Sequence, residues 1–520
     1  MTTRLLGNEQ LGAGNAFPLA CADEELARSV VLELDRSYTD HEGRLHDSLT
    51  LPQLDRITDA LAAGYWRDGI RPKDPVAVFL EESVRYLVHY VALNKIGAIP
   101  VLLNSLMPSD LGQKFITRVG AVAVVSDRTR IPTGFEGPRF YENDPFGEGE
   151  FRRFVHTEND PVLIAHTSGT TGVPKAVQFN HGGFFFGIRQ QIGADLGERI
   201  LSVLPQSHGS AISVLMSAVV RGSKVLLATQ RGASALADSI ERFRPNLVAA
   251  FPKTFVDLCR LDLDARDFDS VARWMCTGDA NHEQHIRKLV RQGTHIDREG
   301  RKQSGSLFID NFGSSEFGFA MFRTIHTPTS NRYGRCIGRP FGWIDVELFD
   351  DNDEPVGPRT VGRLALKSPT VTSGYWNNTL LSEKNRVRGY WLTGDVAYRD
   401  EDGLYYHMDR TVDYITTGDG AVYSAQCEEL ILARFPEVFD CSLVAVAQAS
   451  EGTEAPLVLT ADLAEQAVDT EDLLQRINEA LGEKGLPKIR TIRTEGLGEH
   501  VGLTGKSLKR TMRDALADQV

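Results

Sequence analysis

Short apolar runs alternate with helical segments along most of this chain, and this alternation constrains its fold more than any other feature. An apolar run at 76–80 precedes a helical pattern at 83–95, and a second apolar run follows at 99–103. The same order recurs between 223 and 250. Strands joined by helices lie parallel in a sheet that helices cover. The alternation therefore predicts an α/β fold built on parallel sheets.

The pattern changes after about Asn331, where glycine and proline become frequent. Segments 345–349 and 362–367 are typical of short strands, and they predict a smaller β-rich subdomain. The polar and charged segment 291–306 predicts an exposed loop.

The C-terminal part combines an alternating segment at 442–446 with a helical pattern at 470–483. A chain of 520 residues is too long for one hydrophobic core. We therefore expect a large N-terminal domain over 1–408 and a small α+β C-terminal domain over 409–520.

The composition is that of an ordinary globular protein, with 42% hydrophobic residues, 24% charged residues and a net charge of −13. The acidic excess disfavours nucleic acid or an anionic membrane as the main partner. Six scattered cysteines without a C-x-x-C pair indicate a reducing compartment. No apolar leader is present, and the longest apolar stretches are too short to span a bilayer. We expect a cytoplasmic protein with small-molecule partners; the composition does not predict an oligomeric state.

The segment 167–175 reads Thr-Ser-Gly-Thr-Thr-Gly-Val-Pro-Lys and follows an apolar run at 161–165. A strand that opens into such a loop can hold phosphate, because glycines let backbone N–H groups face an anion and hydroxyls donate hydrogen bonds. The terminal lysine adds positive charge. The spacing differs from the Walker loop, so a plain exposed turn remains an alternative for the loop alone. The candidate phosphate-binding residues are Thr167, Ser168, Gly169, Thr170, Thr171, Gly172 and Lys175.

Further segments carry the residue types that a nucleotide site needs, and each one alone is commonly a turn. One closes a strand with Gly278, Asp279 and Ala280; a second contains Asn311, Phe312, Gly313, Ser314, Ser315 and Glu316. A strand at 390–395 ends in Asp395, Arg410 follows, and Lys506 stands near the C-terminus in Thr-Gly-Lys. In this order and at these spacings, the segments resemble the adenylate-forming superfamily of acyl-CoA synthetases, adenylation domains and luciferases.

The resemblance covers about 25–510 and implies a large domain of two parallel-sheet subdomains plus a β-rich subdomain, followed by a small mobile C-terminal domain. It also implies that ATP and an acid form an adenylate and pyrophosphate. The loop 167–175 would hold the departing phosphates, and Glu316 would hold Mg²⁺ with Thr170 or Ser315. Lys506 would bridge the acid and the α-phosphate.

The remaining roles that the resemblance implies concern adenosine and the acid pocket. Phe312 would stack on adenine opposite 278–280, and Asp395 with Arg410 would bind the ribose. His208 occupies the position of a residue at the mouth of the acid pocket, where a satisfied surface histidine is the alternative. The expected pocket wall is compact and partly aromatic and consists of Phe251, Phe312, Phe317, Gly318 and Met321. His282 and His285 lie one helical turn apart, and we expect them to be exposed helix residues rather than metal ligands.

The C-terminal part departs from the family pattern. Asp419 stands where a glycine usually lets the pantetheine arm pass, Gly418 lies one position earlier, and Ser424 replaces a proline. A carboxylate there adds bulk and negative charge, which opposes entry of coenzyme A. Coenzyme A is therefore possible as an acceptor but doubtful.

Three hypotheses follow for function. The first is an ATP- and Mg²⁺-dependent adenylate-forming ligase that activates a small acid and transfers it to an acceptor, most often coenzyme A in this family. The second is a diazotase-type enzyme that activates nitrite and transfers the nitroso group to an amine. The third is a nucleotide-binding protein without catalysis, which does not require Lys506, Glu316, Asp395 and the loop together.

Overall fold

The computed structural model describes residues 4–127, 130, 134–141, 149–167, 173–191, 198–230, 232–279, 281–297, 299–417, 420–446, 456–465, 467–502 and 508–517. Helices and strands alternate over its first two thirds, as the apolar pattern predicts. Within this described part, no helix is both long enough and apolar enough to cross a membrane.

Capping side chains and left-handed glycines mark the ends of several α-helices. Thr50 caps α3 through a capping box with Gln53, and Gly120 ends α5 in the left-handed conformation at φ 67°. The helices are α1 (Ala16–Cys21), α2 (Glu24–Ser29), α3 (Leu51–Arg67), α4 (Arg85–Lys95), α5 (Ser109–Val119), α6 (His181–Gln191), α7 (Gly209–Val220), α8 (Ala233–Phe243), α9 (Pro252–Leu258), α10 (Glu283–Val290), α11 (Thr379–Lys384), α12 (Ser424–Arg434), α13 (Thr470–Gly482) and α14 (Lys509–Ala517).

The strands are short and mostly apolar, as expected where a sheet is buried on both faces. They are β1 (Val31–Thr39), β2 (Leu45–Thr50), β3 (Pro75–Phe79), β4 (Ile99–Leu102), β5 (Ala123–Ser126), β6 (Arg139–Tyr141), β7 (Pro161–His166), β8 (Ala176–Asn180), β9 (Arg199–Ser202), β10 (Lys224–Leu227), β11 (Leu247–Ala250), β12 (Arg273–Thr277), β13 (Thr294–Ile296), β14 (Lys302–Ser304), β15 (Leu307–Phe312), β16 (Phe322–His326), β17 (Cys336–Pro340), β18 (Asp345–Phe349), β19 (Gly362–Lys367), β20 (Arg386–Val387), β21 (Tyr390–Arg399), β22 (Tyr405–Arg410), β23 (Ile415–Thr417), β24 (Gly420–Val422), β25 (Val438–Ala445), β26 (Leu457–Leu463) and β27 (Thr491–Arg493).

Two sheets form the N-terminal body. One has the strand order β6-β5-β3-β4-β7-β8 and is parallel except at its β7–β8 edge. The other runs β2-β1-β10-β9-β11-β12-β15 and is parallel from β1 to β15. Helix α4 is buried along almost its whole length, and its Leu87 belongs to the same core cluster as Val76 and Leu247 of the two sheets. The predicted α/β fold with two parallel sheets is confirmed.

The β-rich part is not a separate sheet. Beyond β15, the second sheet continues antiparallel through β16, β17, β22, β21, β19 and β18. The reason is that β17 pairs with β16 on one side and with β22 on the other. The backbone hydrogen bonds of the β-rich part therefore extend the sheet that carries the parallel strands.

Two local predictions were wrong. The segment 291–306 is not a plain loop, because it contains the β13–β14 hairpin, whose turn is closed by hydrogen bonds from Glu299 and Arg301 backbone N–H groups to Asp297. Asp395 does not end a strand: it lies in the middle of β21, one residue after Gly394 at φ 82°.

The C-terminal part contains the small sheet β25-β26-β27, which α12 and α13 cover. Most of its buried apolar residues between Ile415 and Ile489 form a core cluster of their own. Helix α13 begins at an Asp469 side chain that accepts hydrogen bonds from two backbone N–H groups of its first turn.

Candidate active site

A cavity of about 550 Å³ lies where several parallel strands of the large sheet end. Phe251, Thr277 and Phe312 line it, and each stands at or just past the carboxyl end of its strand. Residues from the antiparallel strands β16, β17, β21 and β22 complete the wall. The carboxyl edge of a parallel sheet is where α/β proteins bind ligands, because loops of different strands converge there.

The base of the loop 167–175 is closed by two hydrogen bonds between its ends. Thr167 N–H donates to the Lys175 carbonyl at 3.1 Å, and Lys175 N–H donates to Thr167 Oγ1 at 3.1 Å. Both residues line the cavity, so the structure brings the loop's ends to the site. The remaining candidates in this loop, Ser168, Gly169, Thr170, Thr171 and Gly172, lie outside the described residues.

Lys175 is connected to Glu316 through Tyr375, a residue that the sequence patterns did not single out. Lys175 Nζ donates to the Tyr375 hydroxyl at 3.3 Å and lies 5.1 Å from the ring centroid. The hydroxyl donates to Glu316 Oε1 at 2.9 Å. Burial and the Glu316 charge raise the pKa of Tyr375, so the phenol stays protonated as a donor.

Glu316 presents a carboxylate to the cavity without an ion pair to any residue that the structure describes. Ser314 Oγ donates to its Oε2 at 2.9 Å, and the Tyr375 hydroxyl holds Oε1. Each carboxylate oxygen keeps further lone pairs, and hard divalent cations prefer such oxygen ligands. Glu316 could therefore supply oxygen ligands to a Mg²⁺ ion. The described residues include no group of three metal-ligating side chains.

Phe312 and the segment before α10 form another part of the wall. Phe312, Gly313, Gly278 and Asp279 all line the cavity, and Gly278 adopts φ 100°, a conformation that favours glycine. Ala280 lies outside the described residues. Asn311 and Ser315 also line the cavity, and Asn311 Nδ2 donates to the Cys276 carbonyl at 3.1 Å.

Asp395 lies in a polar cluster that includes His407, which the sequence analysis missed. The Arg335 guanidinium donates to His407 Nδ1, so the ring proton is on Nε2, which donates to Asp395 Oδ1 at 3.2 Å. Burial raises the pKa of Asp395, but the hydrogen bond from His407 and the nearby charges lower it by more. The net pKa is therefore below the usual value, and the carboxylate is ionised. Arg410 Nε lies 3.9 Å from the same oxygen.

His407 also places this cluster beside Phe312. The two ring centroids are 5.1 Å apart, and the strand register pairs Asp395 on β21 with Arg410 on β22. The register thus brings an aromatic ring, an ionised carboxylate and a guanidinium to one wall. These are the groups that an adenine, its ribose hydroxyls and a phosphate chain need.

His208 is not a surface histidine. It is the N-cap residue of α7, where its Nδ1 accepts from Ser210 N–H at 3.2 Å, and its ring packs edge-on against Phe251 at 5.1 Å. Both rings line the cavity. The helix N-terminus adds a partial positive charge on this side.

The predicted pocket wall was partly wrong. Phe251, Phe312 and Gly318 line the cavity, whereas Phe317 and Met321 do not. These two side chains are 0% and 1% exposed and pack into the hydrophobic core instead. Phe317 ends a short helical turn, Gly318 follows at φ 61°, and Phe319 beyond it is the aromatic residue that lines the cavity.

The prediction that His282 and His285 are exposed was also wrong. His282 Nδ1 lies 2.6 Å from Glu429 Oε2 of α12, and His285 Nε2 donates to the Phe439 carbonyl at 2.9 Å. Both histidines are therefore part of the contact between α10 and the C-terminal part. Lys506, Gly418 and Asp419 lie outside the described residues.

Ser424, which replaces a proline of the family pattern, has a clear structural role. It is buried, its Oγ donates to Asp409 Oδ2 at 2.7 Å, and it accepts from Lys509 Nζ at 2.6 Å. Lys509 also pairs with Glu428 at 2.7 Å. The serine thus connects α14 with the end of β22, which a proline side chain cannot do.

Comparisons with known proteins identify the family of this chain. The family model described as AMP-binding enzyme matches residues 35–376. A Streptomyces protein named 3-aminoavenalumate diazotase is 37% identical over 99% of this chain and 97% of its own length. A Streptomyces cremeus protein named 3-amino-2-hydroxy-4-methoxybenzoate diazotase is 26% identical over 86% of this chain and 88% of its own length.

The fold is also similar to a solved structure. The anthranilate CoA ligase AuaEII, crystallised with anthranoyl-AMP, superposes with a TM-score of 0.84 at 19% identity, and the match covers 100% of both chains. At that identity the likeness shows the fold, which includes the C-terminal part. The matched family model and the 37% identical relative show that this chain belongs to the AMP-binding enzyme family and is an AMP-forming ligase.

Proposed function

We propose that this ligase is a diazotase, which uses ATP to activate nitrite and transfers the nitroso group to the amine of an aromatic acid. The observation that carries the proposal is the 37% identity to a protein named 3-aminoavenalumate diazotase, which extends over 99% of this chain. A second relative named as a diazotase supports it at 26% identity. Both names describe a carboxylate that carries an amino group, and the second is a benzoate.

The chemistry balances in two steps. A nitrite oxygen attacks the α-phosphorus of ATP, the bond to the bridging oxygen breaks, and pyrophosphate leaves with the electron pair. The aromatic amine then attacks the nitroso nitrogen, the O–N bond to AMP breaks, and AMP leaves. The resulting N-nitrosamine loses one water under proton transfer and becomes the diazonium product. No oxidant or reductant is needed, because the nitrite nitrogen keeps its oxidation state until it bonds to the amine.

The residues of the cavity support the first step through charge placement. Lys175 and the loop 167–175 would hold the β- and γ-phosphates, and Lys506 would bridge the nitrite oxygen and the α-phosphate. Two anions must approach each other, so positive groups placed where charge develops supply much of the rate. His208 would stand at the mouth of the pocket that receives nitrite and the amine.

The contacts to adenosine and to the metal ion are proposed from the residues that line the same cavity. Phe312 would stack on adenine opposite 278–280, with Asn311 and Gly313 beside the ring, and ionised Asp395 would accept from the ribose hydroxyls. Arg410 would contact the same region. Glu316 would hold Mg²⁺ with Thr170 or Ser315, and the ion would neutralise phosphate charge. The domain division at 409 remains part of the proposal, and the separate core cluster from Ile415 onward supports it.

The test incubates the protein with ATP and Mg²⁺, with nitrite or a panel of carboxylic acids as the acid, and with 3-aminobenzoate or coenzyme A as the acceptor. We expect pyrophosphate release to require nitrite and AMP release to rise with the amine. Coupling of the product to a naphthol should give an azo dye. Formation of an acyl-CoA thioester from a carboxylic acid, without nitrite-dependent turnover, would overturn the diazotase proposal in favour of an acyl-CoA ligase.

The catalytic lysine has its own test. Lys506→Ala should lower nitrite-dependent pyrophosphate release about 10²- to 10³-fold, because one positive group at the reacting phosphate is lost. Lys484→Ala removes an exposed lysine just past α13 and should leave the rate unchanged. Full activity of Lys506→Ala would contradict the proposed role.

A further inference from the structure

Arg323 places a guanidinium in the wall of the cavity, beside Asn311 at the edge of the proposed adenine site. It lies on β16, opposite Asn311 of β15 in the strand register. Gln191, Phe319 and Ile337 line the cavity with it, so the surroundings combine apolar surface with one cation. None of the roles proposed above for phosphate, ribose or adenine uses this residue.

The guanidinium is fixed by neutral partners. Its Nε donates to Asn311 Oδ1 at 2.8 Å, and its Nη1 donates to Gln191 Oε1 at 2.7 Å. Its Cζ lies 5.0 Å from the centroid of the Phe341 ring. Asn311 is itself held by the Cys276 carbonyl. Contacts from several elements therefore hold the guanidinium in one orientation before any ligand arrives, which reduces the entropy lost on binding.

Among the described residues, no carboxylate lies within ion-pair distance of Arg323. Its Nη2 also makes no hydrogen bond to any residue that the structure describes. Burial lowers the pKa of Arg323 to about 10, which leaves the side chain charged at neutral pH. A partly buried cation without an anionic partner is unfavourable unless a ligand supplies the anion. A carboxylate suits the free edge of a guanidinium, because the two planar groups match in geometry.

We infer that Arg323 binds the carboxylate of the aromatic amine that accepts the nitroso group. The inference rests on the proposed function and names the part of the substrate that this side of the pocket recognises. A carboxylate held at Arg323 directs the ring through the apolar space toward the reacting centre near His208, so the amine meets the activated nitrite. The same carboxylate is then kept away from the α-phosphate and is not itself activated.

Equilibrium binding tests the inference without turnover. The full-length protein is titrated calorimetrically with 3-aminobenzoate and with 3-aminobenzamide, which has the same shape and no charge. We expect the wild type to bind the carboxylate about 10- to 100-fold more tightly, as for a hydrogen bond to a charged group. In Arg323→Gln this preference should disappear, while the affinity for the amide changes less than about twofold.

Control variants separate recognition from a structural role. Arg339 is the register partner of Arg323 on β17, is exposed and does not line the cavity, so Arg339→Gln should keep the full preference. Arg323→Lys keeps the charge but not the planar fork, and it should retain part of the preference. If Arg323→Gln does not fold, Gln191→Ala tests the same idea, because it removes one support of the guanidinium and should reduce the preference. Equal weakening of both ligands by Arg323→Gln, or an unchanged preference in that variant, would overturn the inference. If Arg323→Gln does not fold, an unchanged preference in Gln191→Ala would overturn it.

Failure of the Arg323 inference can be distinguished from failure of the proposed function. Nitrite-dependent pyrophosphate release by the wild type in the absence of the amine tests the proposed function on its own, because the first step does not use the amine. If nitrite supports turnover and the carboxylate preference persists in Arg323→Gln, only the role of Arg323 is wrong. If nitrite supports no turnover but 3-aminobenzoate alone drives pyrophosphate release, the proposed function is wrong and the carboxylate is the activated group, so the inference falls with it.

Discussion

Tyr375 shows at the scale of a single residue how this site places charge. The Lys175 ammonium can only donate hydrogen bonds, so the Tyr375 hydroxyl oxygen accepts one from it. The hydroxyl proton of Tyr375 is then donated to Glu316. The buried phenol thus separates a cation from a carboxylate that would otherwise pair directly. Both charges remain available to a ligand, which is what a site for phosphate and Mg²⁺ requires.

The hydroxyl of Tyr375 can be removed with little change in the shape of the side chain. Tyr375→Phe should lower the rate of nitrite-dependent pyrophosphate release about tenfold, because one hydrogen bond to a charged group is lost. Tyr390→Phe is the matched control, since that phenol donates to Asp345 at 2.7 Å outside the cavity. A Tyr375→Phe rate within twofold of the wild type would show that the bridge does not position Glu316.

His407 should influence nucleotide binding rather than the chemical step. His407→Gln removes the ring that donates to Asp395, so we expect the KM for ATP to rise about tenfold with little change in kcat. Tyr406→Phe, on the same strand, loses a weak contact to Asp400 at 3.3 Å and serves as the control. A fall in kcat at unchanged KM would contradict the ribose role of Asp395.

At the scale of elements, the sequence predicts what depends on local pattern and fails where distant strands meet. Strands β18 and β19 have the predicted bounds, because the local residue pattern defines them. Glu316 and Asp395 could be found from their own segments. Tyr375, His407 and Arg323 could not, because their partners depend on the register between strands far apart in the chain.

Strand β12 and helix α10 are joined by Trp274, and this contact has a measurable consequence. The indole is 0% exposed, and its Nε1 donates to Ser306 Oγ at 2.7 Å and lies 3.1 Å from the Leu289 carbonyl. Trp274→Leu should cost about 3 kcal/mol, through lost packing and the lost hydrogen bond from the indole to the Ser306 hydroxyl. A thermal melt should show an apparent Tm several degrees lower, whereas Trp66→Leu, at a partly exposed position of α3, should shift it less. Equal shifts would contradict the anchoring role.

The whole molecule is connected by contacts between α10 and the C-terminal part. Phe439 of β25 belongs to a buried cluster whose other members run from Leu201 to Phe308. Gln284 Nε2 donates to its carbonyl at 2.7 Å, and the Arg260 guanidinium lies 4.2 Å from its ring centroid. This contact surface adjoins the cavity, because Glu429 and Glu283 also line it. Any movement of the C-terminal part relative to the cavity must break these contacts.

The ion pair of His282 and Glu429 makes this contact dependent on pH. Burial lowers the pKa of His282, but the Glu429 carboxylate raises it more, so the net change is upward from 6.5. Burial raises the pKa of Glu429, but His282 lowers it more, so the net change is downward from 4.5. The stability from the histidine is complete below about 6.5 and is lost as pH rises through its folded pKa. The stability from the glutamate is complete above about 4.5 and is lost as pH falls through its folded pKa.

The pair should therefore stabilise the molecule most between about pH 4.5 and 6.5. Glu429→Gln should lower the apparent Tm by roughly 2–4 °C in this window, and the difference from the wild type should shrink as pH rises above it. The measurement is a series of thermal melts across pH, with Glu479→Gln as the control because that acid lies exposed on α13. A Tm difference that does not vary with pH would show that Glu429 acts through packing rather than through its charge.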